Sequence, residues 1–358
     1  MSLRVVSGPQ VDSILETLSP QLALASQAKV FLGFTRKANE APTQGPASIQ
    51  TPHRVTVNNP DFTLLFMPAR APVGNSEQET TATACKIVSV PSRGSPDGLP
   101  ASTIVMDEVT GKARALINAR KLTALRNACG SALFLSLYPT PKSDHLLLFG
   151  AGAQCLAHAQ LFLRLHPFSQ VTFVVRSINS RAESVASAVR SSFPSVTVSL
   201  AGHDSPSEKL SALVSTADVI VTATPSTTPL FTSSPSCPKP GARVVMIGSY
   251  KPEMHEVDSE LMERAGAVVV DSRLACLQEA GELIDVGEGV AGGKGLIELG
   301  EILEEKDWQA VSGPSEEEKE NVIIFKSVGL GIQDVAITSL VADEAERRNL
   351  GTVVEDYD

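Results

Sequence analysis

Apolar and polar residues follow two different rhythms along this chain. In the first hundred residues, short β-rich runs at 55–57, 62–67 and 87–90 alternate with Pro-, Gly- and Ser-rich stretches at 41–47 and 91–100. Runs of this length bounded by turn residues are typical of strands that pair in a mixed or antiparallel sheet. The first segment is therefore predicted to consist mostly of sheet.

A helical spacing begins at Asn118. Apolar residues then recur every three to four positions, the period of an amphipathic helix, and Pro139 is expected to end it. These apolar positions are Leu122, Leu125, Cys129, Leu133 and Leu137. Near the C-terminus, a second long helix is predicted from Ile332 to about Arg348.

Between 145 and 250 the pattern changes to repeated strand–helix units. Apolar strand segments such as HLLLFG, VTFVVR and RVVMIGS are separated by helical segments such as AQCLAHAQLFLRL. Strands connected through helices run parallel, and repeats of this unit predict an α/β fold with a Rossmann-type doubly wound sheet. The pattern continues at 267–272. One more strand, at 321–329, is expected to complete the first domain together with the terminal helix.

Composition and charge narrow the function classes. Thirty Lys and Arg against forty Asp and Glu give a net charge of −10 and a pI near 5.2, so no nucleic-acid partner is expected. The five cysteines form no CxxC pair and the histidines show no ligand spacing, so neither a disulfide framework nor a metal site is predicted. No apolar run approaches the ~18 residues that cross a bilayer, and no signal-peptide core is present. A cytoplasmic protein without a membrane partner is the expectation.

The first strand of the repeat leads into a glycine turn and then a helix. Gly150 allows the tight turn, Gly152 allows a pyrophosphate to approach the backbone, and the helix N-terminus offers free N–H groups at the positive end of its dipole. Cys155 stands where a third Gly or Ala is usual. We predict a dinucleotide site that includes Gly150, Gly152, Ala153 and Gln154.

The end of the second strand bears on the type of cofactor. NAD sites usually place an Asp or Glu about 20 residues beyond the glycines, to bind the ribose 2′-hydroxyl. This chain has Arg176 and Ser177 there, with Arg181 close behind. An arginine can fork onto a 2′-phosphate, so NADPH is predicted in preference to NADH. In an enzyme that accepts either cofactor, Arg176 would be a solvated residue at the strand end.

An ordered series of motifs resembles the ornithine cyclodeaminase and mu-crystallin family, over most of the chain. The motifs are Arg54, Met67-Pro68-Ala69, ACKIVSV around Lys86, TGKA at 110–113, LTALR ending at Arg126, GAGAQCLAHA, TATPSTTP at 222–229, IGSYKPEMHEVD at 247–258 and FKSVGLGIQD at 325–334. Such a series is far more specific than any single motif. It looks closer to the ketimine reductase and alanine dehydrogenase branches of the family.

The resemblance implies that the Rossmann-type domain is inserted into a discontinuous α+β domain, which binds substrate and forms a homodimer. The boundaries predicted are 1–126 plus 320–358 for the discontinuous domain and 127–319 for the NAD(P)-binding domain. A length of 358 residues agrees with two domains at about 150 residues each.

The resemblance also implies site residues. Arg54, Lys86 and Arg126 are expected to hold the carboxylate of an amino or imino acid, with Met67 beside them; planar arginines and a compact ammonium suit that task. Gln333 is expected to border the nicotinamide. Further cofactor contacts are expected at Thr222, Ala223, Thr224, Ile247, Gly248, Ser249 and Gly329.

Three positions depart from the family pattern. Cyclodeaminases resemble this chain around Gly248 but carry an Asp base where Tyr250 stands. Cyclodeamination is thereby placed in doubt, which favours net hydride transfer. Asn127 replaces a usual Thr, so the pyrophosphate or nicotinamide end of the cofactor is expected to be held differently. His255 replaces a usual Arg.

The resulting hypothesis is reduction of a C=N bond next to a carboxylate by NADPH, in a ketimine or other small imino acid. Lys86, its pKa lowered by burial and neighbouring cations, is the candidate proton donor. Two alternatives stay open. One is a related enzyme, an amino-acid dehydrogenase or a cyclodeaminase with another base. The other is an NADP-regulated protein that binds a small ligand, like mu-crystallin.

Overall fold

The chain folds into two compact units. A computed structural model describes residues 2–39, 49–74, 80–92, 99–203, 207–234 and 237–358. A discontinuous unit comprises Met1–Cys129 and Gly329–Asp358, and an inserted unit comprises Gly130–Val328. Each unit contains its own β-sheet.

The helices and strands follow one another through both units in a fixed order. They are β1 (Leu3–Val6), α1 (Gly8–Thr17), α2 (Pro20–Asn39), β2 (Val55–Asn58), β3 (Phe62–Val73), β4 (Thr80–Pro91), β5 (Ala101–Met106), β6 (Ala113–Asn118), α3 (Leu122–Leu137), β7 (His145–Phe149), α4 (Ala153–Leu165), β8 (Gln170–Val175), α5 (Ser180–Ser192), β9 (Thr197–Gly202), α6 (Ser207–Thr216), β10 (Val219–Thr222), β11 (Arg243–Met246), α7 (Ser259–Arg264), β12 (Ala267–Val270), α8 (Arg273–Glu279), α9 (Gly281–Val286), a 3₁₀ segment (Gly287–Gly293), β13 (Leu296–Glu298), α10 (Leu299–Glu305), α11 (Glu316–Glu320), β14 (Ile323–Lys326), α12 (Gly331–Arg347) and β15 (Thr352–Val354).

The discontinuous unit is built on a mixed seven-stranded sheet. Its strand order is β15-β1-β6-β5-β4-β3-β2. The pair β1–β6 is parallel, and the other neighbours are antiparallel. Helix α12 packs against β3 and β4. Along β4, alternate side chains face the buried side, and this set contains Ala82, Ala84, Lys86 and Val88. The strand period therefore places a lysine in a row of small apolar residues.

Helices α1 and α2 correct the expectation that the first segment is mostly sheet. They occupy Gly8–Thr17 and Pro20–Asn39, between β1 and β2. A start signal was present: the Ser7 N–H donates to Gln10 Oε1 at 2.9 Å, and Pro9 lies in the first turn. This capping arrangement is typical of a helix N-terminus. The residues around Ser7 therefore favour a helix, although turn residues at 41–47 and 91–100 dominate the composition of the first hundred residues.

The inserted unit contains the predicted Rossmann-type sheet. Eight strands run parallel in the order β13-β12-β14-β11-β10-β7-β8-β9. The strand–helix alternation expected from 145 to 250 is present, and β12 is the strand expected at 267–272. Strands β9 and β13 were not predicted. The order reverses at β7, because β8 lies on one side of it and β10 on the other.

Strand β14 corrects a second expectation. We expected it to complete the first domain, yet it pairs with β11 and β12 in the middle of the inserted sheet. All four of its residues are buried, as suits the centre of a parallel sheet that is covered on both faces. An apolar run specifies burial but not which sheet the strand joins.

Among the described residues, no helix is long and apolar enough to cross a membrane. Within the same residues, no group of three or more His, Cys, Asp or Glu side chains is arranged to hold a metal ion.

Candidate functional site

Two of the residues predicted to hold a carboxylate meet a third group in the discontinuous unit. Lys86 is 2% exposed on β4, opposite Met67 of β3 in the sheet register. Arg126, in the first turns of α3, is 3% exposed. The side chain of Asp334, in the first turn of α12, lies between them. We call Lys86, Arg126 and Asp334 the Lys86 cluster.

The Asp334 carboxylate bridges the two cations with its two oxygens. Oδ2 lies 2.7 Å from the Lys86 Nζ, and Oδ1 accepts from the Arg126 Nε at 3.1 Å. The Arg126 Nη1 also donates to the Gln333 Oε1 at 3.0 Å and to the Asn127 side chain. Buried charges need such partners, because an unpaired one would cost several kcal/mol, on the order of 3–5. The arginine and lysine are thus fixed in place.

The charges around Lys86 hold its ammonium near the point of deprotonation. Burial lowers the pKa of Lys86, the Asp334 carboxylate raises it, and Arg126 and the half-buried Arg54 lower it, with a net pKa of about 8. Arg54 is therefore close enough to act electrostatically on the same ammonium. A lysine with this pKa is mostly charged at neutral pH but can release its proton readily.

Gly329 lies against Arg126 in the same unit. Its φ of +86° is in the left-handed region, and a Cβ at this position would lie 2.5 Å from the Arg126 Nη1. Only glycine leaves room for the guanidinium there. The residue that we predicted as a cofactor contact therefore borders Arg126, as does Gln333.

Sequence reasoning missed Asp334. It stands at the end of the motif FKSVGLGIQD, but no role was given to it. A signal was available in principle, since two cations predicted to share a dry pocket require a carboxylate counter-charge. Periodicity could not say which of the forty acidic residues supplies it.

The predicted glycine turn adopts the conformation that a nucleotide loop needs. Gly150 has a φ of +118°, and a Cβ there would come 2.8 Å from the Thr224 Cγ2. The Gly150 N–H donates to the Val174 oxygen at 2.8 Å. Gly152 is the N-cap of the 13-residue helix α4, and in the described part of the chain no side chain caps this end. The first N–H groups of α4 are thus available to an anion.

Loops after three neighbouring strands converge beside this turn. The Ala223 N–H donates to the Phe149 oxygen at 3.2 Å, and the Ile247 N–H donates to the Thr222 oxygen at 3.0 Å. A Cβ on Gly248 would lie 2.4 Å from the Thr224 oxygen. The carboxyl ends of β7, β10 and β11 therefore meet where the strand order reverses, the usual ligand position in such sheets.

Basic residues lie close to the glycine turn. The Arg181 Nη2 is 3.7 Å from the position that a Cβ on Gly152 would take. Arg176, Ser177 and Arg181 are all exposed just after β8. The Arg181 guanidinium is therefore near enough to meet a phosphorylated ligand bound at the turn.

The hydroxyls of two predicted cofactor contacts lie in the interior of the inserted unit. Thr222 and Ser249 are both 0% exposed. The Ser249 Oγ donates to the Glu282 Oε1 at 2.6 Å, and the Ser249 N–H donates to the Glu256 Oε2 at 3.0 Å. These two residues therefore position the loop backbone, and a ligand contact at either would be made through the main chain.

Ser249 belongs to a second buried ionic group, the Lys326 cluster, formed with Lys326, Glu256 and Glu282. The Lys326 Nζ donates to the Ser249 oxygen at 2.8 Å and lies 3.0 Å from the Glu256 Oε2 and 3.4 Å from the Glu282 Oε1. Through its contacts with Ser249, this cluster holds the loop that follows β11 in place. Beyond it, Tyr250 is half-buried, and residues 247–252 contain no carboxylate.

The inserted unit fits a dinucleotide by its own chemistry. The Thr224 Oγ1 and Gln154 Oε1 are buried and make no hydrogen bond within the residues that the structure describes. Both belong to the loop and helix end that converge at the glycine turn. Orphaned polar atoms, free N–H groups and nearby guanidinium groups are what a polar, phosphorylated ligand would satisfy.

Comparison with known proteins gives a consistent assignment. The chain is 31% identical over 243 residues to a ketimine reductase mu-crystallin of Mus musculus, which covers 68% of this chain and 69% of that protein. It is 27% identical over 303 residues to a Δ1-pyrroline-2-carboxylate reductase of Bacillus cereus, covering 83% and 86% of the two chains.

A solved structure shares the fold over nearly the whole length. The Δ1-pyrroline-2-carboxylate reductase of Thermococcus litoralis, in complex with NADH and L-proline, superimposes with a TM-score of 0.75 at 22% identity, covering 98% of this chain and 99% of that one. The sequence pattern of the ornithine cyclodeaminase/mu-crystallin family matches residues 24–349. The chain belongs to the ornithine cyclodeaminase/mu-crystallin family.

Proposed function

We propose that this protein is an oxidoreductase that reduces the C=N bond of a small imino acid, with NADPH as the preferred hydride donor. The observation that carries the proposal is the Lys86 cluster, in which two buried cations share a single carboxylate. With Arg54 nearby, positive charges exceed negative ones at this place. A substrate carboxylate would offset that excess.

The named relatives support the reaction class. The mouse relative is a ketimine reductase and the B. cereus relative reduces Δ1-pyrroline-2-carboxylate, according to their names. The T. litoralis protein is seen with NADH and L-proline. Δ1-Pyrroline-2-carboxylate and L-proline both combine a carboxylate with an adjacent nitrogen, and the Lys86 cluster suits that chemistry.

Arg54 and Arg126 would bind the substrate carboxylate and so fix the position of the imine. Arg126 is suited to this because Asp334, Gln333 and Gly329 already fix its guanidinium. A fixed orientation lowers the entropic part of the barrier, by up to ~7–11 kcal/mol in favourable cases. Met67, across the sheet from Lys86, would border the substrate side chain.

Lys86 would supply the proton. NADPH, when bound, supplies the hydride that reduces the imine carbon. The Lys86 ammonium gives a proton to the imine nitrogen, so the C=N double bond becomes a CH–NH single bond and Lys86 becomes a neutral amine that regains its proton from water. A pKa of about 8 keeps the donor charged at neutral pH while making the transfer accessible.

The preference for NADPH rests on Arg176, Ser177 and Arg181. All three are exposed near the glycine turn, and no acidic residue follows β8 directly. A guanidinium can bind a 2′-phosphate but gives no comparable recognition of a bare ribose. The main-chain groups of Gly150, Gly152, Ala153 and Gln154 would bind the phosphates, and those of Ala223, Thr224 and Gly248 would border the rest of the nucleotide.

The test is a panel of cofactor-oxidation assays. Δ1-Piperideine-2-carboxylate, Δ1-pyrroline-2-carboxylate, and pyruvate with ammonia or methylamine are each tried with NADPH and with NADH. We expect NADPH oxidation with at least one cyclic imine and weaker activity with NADH.

Three other outcomes would contradict the proposal in different ways. Activity only with an oxo acid and ammonia indicates an amino-acid dehydrogenase. Ammonia release from ornithine with catalytic NAD indicates a cyclodeaminase, despite the absence of a carboxylate at 247–252. Silence across the panel, with NADPH binding retained, indicates a ligand-binding protein.

A further inference from the structure

We propose that Asp334 is a positioning residue of the reaction, which keeps the Lys86 ammonium charged and aimed while it holds the Arg126 guanidinium in its binding orientation. The inference rests on the proposed function, because it assigns Lys86 as the proton donor. It adds a residue that the sequence motifs left without a role. One side chain would thereby couple the proton-donating group to the carboxylate-binding group.

The geometry ties both cations to one rigid support. Asp334 uses Oδ2 for Lys86 at 2.7 Å and Oδ1 for Arg126 at 3.1 Å. It lies in the first turn of α12, whose residues from 331 to 339 are all buried. Helix α12 lies close to β3, since a Cβ on Gly331 would come 3.1 Å from the Ala69 Cβ. The carboxylate therefore has little freedom to follow either cation if that cation moves.

The surroundings of Lys86 explain why this carboxylate matters. In the sheet, Lys86 lies between Met67 of β3 and Thr103 of β5, neither of which carries a charge. The adjacent Cys85 thiol has a pKa raised by burial and stays neutral. From α3 and from the segment before β2, Arg126 and Arg54 both disfavour the ammonium, as does burial. Asp334 opposes all three effects.

Without the negative charge of Asp334, Lys86 would therefore lose its proton at a lower pH. An opposite charge in contact typically moves a pKa by about 1–3 units, so the lysine of an Asp334→Asn variant would lose its proton near or below neutral pH. The enzyme requires the protonated lysine, so kcat/KM falls as pH rises through this pKa. In a plot of kcat/KM against pH, the decline on the basic side, the basic limb, must then move to lower pH.

The experiment compares pH profiles of kcat/KM for the wild-type protein and Asp334→Asn with the imine identified in the panel. We expect the basic limb to shift down by about one pH unit or more. A merely structural role would lower the rate at every pH and leave the limb in place, and that result would overturn the proposal.

Asp218→Asn is the matched control. Asp218 is also a buried aspartate, with its Oδ1 2.7 Å from the Lys239 Nζ, and it lies in the inserted unit. Its substitution tests the general cost of neutralising a buried aspartate, and it should leave the limb unmoved.

A second variant, Asp334→Glu, keeps the proposal testable if the Asp334→Asn protein folds poorly. Asp334→Glu keeps the charge but lengthens the side chain by one methylene, so we expect the limb to stay near its wild-type pH while kcat falls. An unchanged kcat in a folded Asp334→Glu protein would show that the exact orientation of the Lys86 ammonium is unimportant, and it would overturn the positioning role.

Ligand binding separates this inference from the proposed function. Pyrrole-2-carboxylate is a planar carboxylate that accepts no hydride, and its affinity can be measured against pH by calorimetry without turnover. If no imine is reduced, yet Asp334→Asn shifts the pH dependence of this binding, the proposed function fails, while the electrostatic coupling of Asp334 to Lys86 and Arg126 stands. If imines are reduced and neither profile shifts, only the role of Asp334 fails.

Discussion

Two lysines of this protein are equally buried and behave in opposite ways. Lys86 is 2% exposed and Lys326 is 0% exposed, and each pairs with carboxylates. Burial by itself lowers the pKa of both. Around Lys86, arginines add to that effect and the pKa is about 8. Around Lys326, the carboxylates of Glu256 and Glu282 outweigh burial and raise the pKa above its ordinary value.

The difference shows that the balance of neighbouring charges, and not burial, decides in which direction the pKa of each buried lysine moves. The Lys86 cluster has two cations for one carboxylate, and the Lys326 cluster has one cation for two carboxylates. An excess of cations lowers the pKa of the lysine, and the uncompensated positive charge can attract an anionic ligand. An excess of carboxylates holds the proton firmly, and burial raises the pKa of Glu256 as well.

The largest expected effect follows removal of Lys86, the proposed proton donor. Lys86→Met should reduce turnover about 10²–10⁴-fold, the usual contribution of a general acid, because the proposed proton donor is removed. NADPH affinity, measured by fluorescence titration, should be nearly unchanged. Lys29→Met is the control: Lys29 is a half-buried lysine of the same unit that donates to the Val73 and Gly74 oxygens. Full activity in the Lys86→Met protein would refute the assignment.

Removal of the other lysine should affect stability first. Lys326→Met leaves two buried glutamates without their cation, which should lower the free energy of unfolding by about 3–5 kcal/mol in urea titrations. The triple variant with Glu256→Gln and Glu282→Gln removes all charge from the cluster and should recover part of that loss. If the triple variant is no more stable than Lys326→Met, unpaired charge is not the cause.

Gly329→Ala tests the packing around Arg126. The Cβ would collide with the guanidinium at a φ of +86°, so we expect a loss of about 1–3 kcal/mol in stability and a raised KM for the imine. Gly111→Ala is the matched control, because its φ is +70° and nothing lies within 4 Å of the added carbon. Equal KM effects in both variants would show that Gly329 acts through backbone strain alone.

The pH dependence of stability gives an equally small but more specific contrast between the two lysines. Lys86 has a folded pKa of about 8 against 10.5 for an ordinary lysine. Between these values the unfolded chain holds a proton that the folded chain has lost, so the free energy of unfolding should rise with pH, by about 1–3 kcal/mol. Lys86→Met should abolish that rise. Lys326 changes the free energy of unfolding in the opposite direction. Its stabilising contribution is present at lower pH and is lost as the pH rises through its raised folded pKa.

The glycine turn of the inserted unit, the candidate nucleotide site, could be predicted almost entirely from local sequence. Gly150, Gly152 and the helix that follows are contiguous, and their chemistry depends on backbone geometry within a few residues. The structure shows the expected positive φ at Gly150 and the uncapped start of α4. The Lys86 cluster of the discontinuous unit could be predicted only as a set of cations, without its carboxylate.

What the sequence determined by itself was therefore the alternation of strands and helices, the glycine turn and the identity of Lys86 and Arg126 as candidates. The tertiary structure alone decided that β14 joins the inserted sheet and that Asp334, 208 positions from Arg126, supplies the shared carboxylate. The physical reason is range: propensity, periodicity and capping act over a few residues. Charge balance and strand pairing depend on groups that only folding brings together.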